Sequence, residues 1–111
     1  MDDIVTTTFM NMVQGRNLKI MPPVNRMYKM KVAFIRPMAY LRESDVQKLV
    51  DQKGIPYSPC SCPVGDTTMR NKMKYELWDM EKRIPGLIEN SYWALHKDFV
   101  AKYKDKDYYI D

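Results

Sequence analysis

Apolar side chains recur at helical spacing in four parts of the chain, which predicts four amphipathic helices. In the first part, apolar residues stand at every fourth position and Gly15 ends the pattern. This spacing predicts a helix over residues 2–14. Asp2 or Asp3 would cap this helix and would favour the positive end of its dipole.

The second helix is predicted over residues 44–53. Ser44 and Gln47 have the spacing of a capping box, and Gly54 stands where a helix ends in the left-handed conformation. Three apolar residues at helical spacing predict a buried face: Val46, Leu49 and Val50.

The third helix is predicted over residues 66–83, where an apolar face indicates core packing, and Pro85 and Gly86 break it. A fourth helix follows, with a second apolar face. The two faces consist of Met69, Met73, Leu77 and Met80, and of Ile88, Tyr92, Leu95 and Phe99. Residues 102–111 alternate Lys, Asp and Tyr, which favours a loose charged tail.

A short apolar run, VAFI within residues 31–38, predicts one buried strand that Pro37 closes. Upstream, residues 15–29 contain Pro22 and Pro23 and are predicted to be an exposed basic loop, with at most a short extended piece at residues 18–21. A single strand cannot form a sheet, so we expect parallel neighbours from elsewhere. The fold class is α/β, mostly helical with one or two short strands.

The chain has 111 residues, of which 45% are hydrophobic, and a net charge of +4. This size allows one small domain, and the mild positive charge permits nucleic-acid binding without requiring it. Asp2 and Asp3 follow Met1 directly, and no run of about 20 apolar residues occurs, so we expect a cytoplasmic location and no membrane. In the cytoplasm, a close pair such as Cys60 and Cys62 more often indicates metal or redox chemistry than a disulfide.

Four stretches of the sequence carry a family resemblance in a fixed order. They are DDIVTTTFMNM from Asp2, KIMPP from Lys19, FIRPMAYLRESDVQKLVDQKGIPYSPC from Phe34, and MRNKMKYELWDMEKRIPGLIENSYWAL from Met69. Together they resemble the tRNA 2-thiocytidine biosynthesis family of PP-loop ATPases. The most specific part is the pattern W-[DE]-x-x-x-[RK]-x-P-G-x-I-E, which begins at Trp78.

The resemblance implies the C-terminal portion of an adenine-nucleotide alpha hydrolase-like (PP-loop) fold over residues 1–100, followed by a tail at residues 101–111. It implies part of an ATP-dependent enzyme that forms 2-thiocytidine in the anticodon loop of tRNA. Family members also have an SGGxDS loop for ATP and an upstream C-x-x-C pair, and this sequence contains neither. We therefore expect the chain to be inactive alone. The alternative is a non-catalytic, stand-alone module that binds RNA or a protein partner.

The family also suggests site residues. Cys60 lies in the PxPC loop and is implied to be the catalytic residue and a ligand of an iron–sulfur cluster; otherwise it is a small buried thiol. Cys62 is a second candidate ligand, although its C-x-C spacing departs from the family's C-x-x-C. Two Cys cannot complete a thiolate set, so the chain alone should bind no cluster.

Five further residues are candidates with simpler alternatives. Asp2 and Asp3 match an acidic pair beside the nucleotide and Mg²⁺ site, Asp3 being the better candidate, or they cap a helix. Arg36 ends the predicted strand and could bind tRNA phosphate or form an ion pair. Arg70 and Lys74, one helical turn apart, could contact tRNA or form a solvated helix face.

The implied cofactors and partners belong to the intact family enzyme. The cofactors are an iron–sulfur cluster, ATP and Mg²⁺, and we expect this chain alone to bind none of them. The expected partners are tRNA, a sulfur donor protein, and a missing N-terminal half or a homo-oligomer partner. Tyr92 and Trp93 could stack on RNA bases, but helix packing explains them more simply, and His96 is assigned no role.

Overall fold

The computed structural model describes residues 1–18, 20–59 and 68–103. Within these ranges the chain forms four α-helices and a two-stranded sheet. In chain order the elements are α1 (Asp2–Val13), β1 (Val24–Met27), a 3₁₀ turn (Tyr28–Met30), β2 (Val32–Ile35), α2 (Glu43–Lys53), α3 (Met69–Arg83) and α4 (Leu87–Tyr103). The mostly helical α/β composition with two short strands is confirmed, whereas the PP-loop arrangement stays a prediction.

The core lies where α1, α3 and α4 pack together. Its buried apolar residues are Met1, Ile4, Val5, Ala39, Leu77, Ile88 and Tyr92. The i, i+4 spacing of Ile88 and Tyr92 places both on one face of α4, as the sequence pattern predicts. Met73 packs against this core from α3, but Met69 is exposed, so the predicted four-residue face is only partly buried.

Helix α3 begins at Met69, with Thr68 as its N-cap. The Thr68 hydroxyl accepts a hydrogen bond from the backbone N–H of Asn71 at 3.2 Å, which satisfies one of the free amides of the first turn. The helix was predicted from residue 66, and residues 60–67 lie outside the described ranges. Cys60 and Cys62 are therefore outside the described structure.

The predicted lone strand is wrong for this chain, because β2 pairs with β1 in an antiparallel hairpin. Pro23 is the last proline before β1, so the four residues of β1 all have a backbone N–H that can donate a hydrogen bond. The pairing continues past β2, where the Arg36 amide donates to the Pro23 carbonyl at 2.8 Å. The expected burial is also wrong, because all four residues of β2 are exposed.

Helix α2 differs from its prediction at the start and along its face. It begins at Glu43 with Arg42 as N-cap and without a side-chain cap from that residue, so the predicted capping box at Ser44 is wrong. No residue of α2 is buried, and Leu49 is exposed. The end is as predicted, since Gly54 adopts the left-handed conformation with φ of 61°.

The break at Pro85 and Gly86 separates α3 from α4 as predicted. Helix α4 continues to Tyr103 and so includes the first three residues of the predicted tail, while residues 104–111 lie outside the described ranges. None of the helices in the described part of the chain is both long and apolar enough to cross a bilayer.

Candidate functional site at the start of the first helix

A charged cluster lies where the start of α1 meets α2 and α3. We define the charged cluster as Asp2, Asp3, Arg42, Glu43, Lys74 and Glu81, with Trp78 beside it. Two of these residues, Asp2 and Asp3, come from the first turn of α1, where the helix dipole favours carboxylates.

Asp2 is the buried centre of the charged cluster, with only 3% of its surface exposed. Its carboxylate accepts hydrogen bonds from the Glu43 backbone N–H at 2.8 Å and from Trp78 Nε1 at 3.0 Å. Arg42 Nε lies 3.3 Å from each of its oxygens. Burial is the largest influence on the pKa of Asp2 and raises it, but these three partners together hold the pKa below its usual value.

Arg42 connects Asp2 to Glu81. Its Nη2 lies 2.7 Å from Glu81 Oε1, and its Nη1 lies 3.3 Å from Oε2, so the guanidinium binds the carboxylate through two nitrogens. Burial is the largest influence on the pKa of Arg42 and lowers it, but the Glu81 hydrogen bond and the two carboxylate charges raise the pKa above its usual value. Glu81 also accepts the backbone N–H of Ile88 at 3.0 Å.

Two carboxylates of the charged cluster therefore cap helices other than their own. Asp2, on α1, accepts the first backbone N–H of α2, and Glu81, on α3, accepts a backbone N–H in the first turn of α4. Arg42 binds both carboxylates, so one guanidinium connects the starts of α1, α2 and α4.

Lys74 joins the exposed side of the charged cluster. Its Nζ lies 2.8 Å from Glu43 Oε2 and 3.2 Å from Asp3 Oδ1, and it stands 5.8 Å from the centre of the Trp78 ring. Burial is the largest influence on the pKa of Lys74 and lowers it, but the hydrogen bonds to Glu43 and Asp3 raise the pKa above its usual value. Lys74 thereby ties α3 to both α1 and α2.

The other predicted tRNA contacts lie near different elements. Arg70 donates from Nη1 to the Thr7 hydroxyl at 3.0 Å, one helical turn before Lys74 and against α1. Arg36 instead donates from Nη1 to the Pro22 carbonyl at 2.7 Å, so its guanidinium is held by the backbone that leads into the hairpin. The structure thus brings Asp2, Asp3, Arg70 and Lys74 together around α1 and places Arg36 at the hairpin.

The charged cluster stands between two clefts. One cleft, of about 500 Å³, is lined by residues that include Asp2, Arg42 and Trp78. The other, of about 280 Å³, is lined by residues that include Asp3, Glu43 and Lys74. The larger cleft has the size of a small-molecule site.

The two acidic candidates differ in their freedom to meet a cation. Both oxygens of Asp2 already accept hydrogen bonds, so Asp2 does not fit direct binding of Mg²⁺, whereas Asp3 is 64% exposed on its side chain. Within residues 1–18, 20–59 and 68–103, no three His, Cys, Asp or Glu side chains are grouped as metal ligands. The Mg²⁺-adjacent role stays a prediction, and Asp3 is its better candidate.

Several residues of this site were not singled out from the sequence. They are Arg42, Glu43, Trp78 and Glu81. Trp78 is the first residue of the pattern W-[DE]-x-x-x-[RK]-x-P-G-x-I-E, and Glu81 stands at one of its variable positions. A Trp three residues before a Glu on a helix places both on one face, and this was a signal that they contact the same group of charged residues.

The fold and the charged cluster define a small α/β protein whose helices meet at a buried carboxylate. Its sequence is similar to proteins named tRNA-cytidine(32) 2-sulfurtransferase. The protein of Vibrio campbellii is 35% identical over 108 residues, which are 96% of this chain and 36% of the relative. The protein of Saccharophagus degradans is 36% identical over 109 residues, 97% of this chain and 35% of the relative.

The corresponding protein of Paraburkholderia phytofirmans is 41% identical over 95 residues, 85% of this chain and 28% of the relative. The chain therefore spans about a third of the length of the curated relatives it matches. No protein-family profile and no solved structure matches it. The resemblance drawn from the sequence is confirmed: the identities of 35% to 41% are consistent with a C-terminal part of the tRNA 2-thiocytidine biosynthesis family.

Proposed function

We propose that the chain acts in tRNA thiolation as the C-terminal part of an ATP-dependent enzyme that forms 2-thiocytidine. The similarity to tRNA-cytidine(32) 2-sulfurtransferases carries this proposal, because it runs along 85% to 97% of the chain. The remaining part of the enzyme, which the relatives have and this sequence does not match, would supply the ATP-binding loop. ATP, Mg²⁺ and the sulfur donor protein are proposed for that assembly and not for this chain alone.

An ion pair of the charged cluster joins the two helices that flank the cysteines in the sequence. Cys60 and Cys62 lie between α2 and α3 in the chain, and Lys74 of α3 lies 2.8 Å from Glu43 of α2.

Cys60 is the proposed catalytic residue and, with Cys62, a proposed ligand of an iron–sulfur cluster completed by another part of the enzyme. The cluster would supply the place where sulfur is delivered. In the sequence both cysteines precede α3, and we propose that the positive N-terminal end of α3 favours a thiolate over a thiol there. Arg70 adds a positive charge in the first turn of that helix.

The three proposed tRNA contacts differ in the charge that they can offer. Arg70 donates to the neutral Thr7 hydroxyl and so keeps its full positive charge. Arg36 likewise donates to a neutral carbonyl. Lys74 faces two carboxylates, which reduces its attraction for phosphate. We therefore propose Arg70 and Arg36, rather than Lys74, as the main phosphate contacts.

The test is a chimera in which this chain replaces the matching third of the Vibrio campbellii relative. The chimera is expressed in cells that lack 2-thiocytidine, and their tRNA is digested and analysed by mass spectrometry. We expect 2-thiocytidine to return with the wild-type chain and to be lost with Cys60→Ser. A folded chimera that binds tRNA but restores no 2-thiocytidine would contradict the proposal.

The alternative is a non-catalytic module that binds RNA or a partner, and the exposed hairpin favours it. Phe34 and Ile35 of β2 present apolar side chains to solvent, as expected for a surface that another polypeptide covers. The same chimera decides between the two functions. A module would bind its partner or RNA while the chimera leaves tRNA unthiolated.

A further inference from the structure

Four aromatic rings form a cluster on the surface of α4, separate from the charged cluster. We define the aromatic cluster as Tyr40, Tyr92, Trp93 and His96. The Tyr40 ring centre lies 5.9 Å from that of Tyr92, 5.8 Å from that of Trp93 and 5.9 Å from that of His96. One residue from the turn before α2 therefore contacts three rings of a single helix.

The rings divide into an inner pair and an outer pair. Tyr92 is buried and stacks on His96 with an interplanar angle of 18°. Tyr40 and Trp93 are tilted from each other by only 33°, and each meets the inner pair edge to face. Tyr40 is 51% exposed and Trp93 is 39% exposed. The inner pair thus supports two outer rings that keep much of their surface in solvent.

We propose that Tyr40 and Trp93 form a stacking surface for an unpaired base of an RNA strand. This inference rests on the proposed function, because the relatives are named for action on tRNA. Aromatic rings held in place by neighbours stack on bases at little cost in side-chain entropy, and any base offers them a π-face. Packing alone explains Tyr92 but, among the residues that the structure describes, leaves much of the outer pair exposed to solvent.

The charge around the aromatic cluster fits a nucleic-acid strand. Lys97 lies one helical turn after Trp93 and is exposed, so its ammonium can meet the phosphate next to a stacked base. Glu89 is exposed one turn before Trp93, which would repel phosphate at that end. The sugar-phosphate backbone of the RNA is therefore expected to pass on the side of Trp93 that is nearer to Lys97. The net charge of +4 adds a general attraction for the strand.

The experiment uses the full chain and a short single-stranded oligouridine that carries one central 2-aminopurine, whose fluorescence falls when the base stacks. We expect quenching with the wild-type chain and binding that is about 5- to 150-fold weaker in Trp93→Ala and in Tyr40→Ala. Trp93→Phe, which keeps a ring, should retain most of the quenching. Tyr75→Ala is the matched control, since Tyr75 is as exposed as Tyr40 but lies outside the aromatic cluster.

Circular dichroism verifies that each variant is folded. Unchanged affinity and quenching in both alanine variants would overturn the proposal, as would equal binding of a blunt RNA duplex or no binding of the oligonucleotide. A dimer seen by light scattering that Trp93→Ala dissociates would also overturn it in favour of a self-interface. If the chimera thiolates tRNA but the chain does not stack on the oligonucleotide, only the stacking surface is rejected. If the chain stacks on the oligonucleotide but the chimera does not thiolate tRNA, the proposed enzymatic function is rejected and the stacking surface is retained.

Discussion

The carboxylate of Asp2 accepts the backbone N–H of Glu43 at 2.8 Å, so the first residue of α1 caps a helix that begins 41 positions later. The same carboxylate holds Arg42 and Trp78. Its burial makes these contacts necessary, because an ionised carboxylate without partners is costly in an apolar surrounding. Asp2 is therefore expected to stabilise the fold more than an ordinary acidic residue in the first turn of a helix would.

Asp2→Asn should lower the free energy of unfolding by about 2 to 4 kcal/mol, because it removes the charge opposite Arg42 and one acceptor oxygen. Urea unfolding followed by circular dichroism measures this change. Asp3→Asn is the matched control, since Asp3 lies next in the sequence but is largely exposed, and it should cost less than about 0.5 kcal/mol. Equal losses in the two variants would contradict a special role for Asp2.

The stabilisation by the ionised Asp2 carboxylate should also appear in the pH dependence of the free energy of unfolding. The pKa of Asp2 is lowered from 3.8 in the folded chain, so its contribution is complete above about pH 5 and is lost as the pH falls through the folded value. We expect the unfolding free energies of wild type and Asp2→Asn to differ most at neutral pH and to converge below 3.8. Urea titrations from neutral to strongly acidic pH measure the difference, and a gap that stays constant would count against it.

The sequence predicted those parts of the fold that depend on local patterns. The end of α2 at Gly54 and the break between α3 and α4 at Gly86 follow from residues that favour a left-handed backbone, and both have positive φ. The start of α2 was misplaced because its cap comes from Asp2, which no local pattern around Ser44 could reveal. Long-range capping needs the tertiary arrangement of α1 against α3.

The contacts of the candidate site residues also depend on the tertiary arrangement and not on local patterns. Asp2 and Asp3 were identified by the family resemblance, and Arg70 and Lys74 by their charge and helical spacing. The pairing of Asp2 with Arg42 and Trp78 was not predicted, because these partners lie far away in the sequence. His96 was assigned no role, since a lone His in a sequence shows no neighbour. Its contact with Tyr40 joins residues 56 positions apart.

Arg42→Lys should lower the free energy of unfolding by about 1 to 3 kcal/mol, because an ammonium cannot reproduce the two-nitrogen contact with Glu81 while it also reaches Asp2. The control is Arg83→Lys. Arg83 pairs with Asp79 at 2.8 Å on the exposed side of α3, so this variant should change stability by less than about 0.5 kcal/mol. If Arg42→Lys behaves like the control, the guanidinium geometry is not required.

Tyr92→Phe should leave stability unchanged or raise it by up to about 1 kcal/mol. Within the described residues the buried Tyr92 hydroxyl has no hydrogen-bond partner, and its burial raises the pKa of the phenol. Removing an unsatisfied buried hydroxyl removes its desolvation cost, while the ring contacts remain. Thermal and urea unfolding measure the change, and a loss above about 1 kcal/mol would show that the hydroxyl has a partner after all.

The last prediction concerns the exposed hairpin. Ile35 is 62% exposed, and β2 carries apolar side chains on both faces, a pattern typical of strands buried inside a larger sheet. Ile35→Thr keeps the β-branched shape, so the stability of the isolated chain should change by less than about 0.5 kcal/mol. If the remaining part of the enzyme covers β2, the lost apolar surface should weaken their association by about 5- to 100-fold.

Calorimetric titration of this chain with the separately produced N-terminal two thirds of the Vibrio campbellii relative measures that association. Leu49→Gln is the control, because Leu49 is also exposed but lies on α2, and Gln maintains helix propensity. Equal weakening by both variants would indicate a general loss of apolar contact. No weakening by Ile35→Thr would mean that β2 is not the contact, and the exposed hairpin would then cease to favour a partner-binding role. A selective effect of Ile35→Thr would identify β2 as the edge on which the enzyme is assembled.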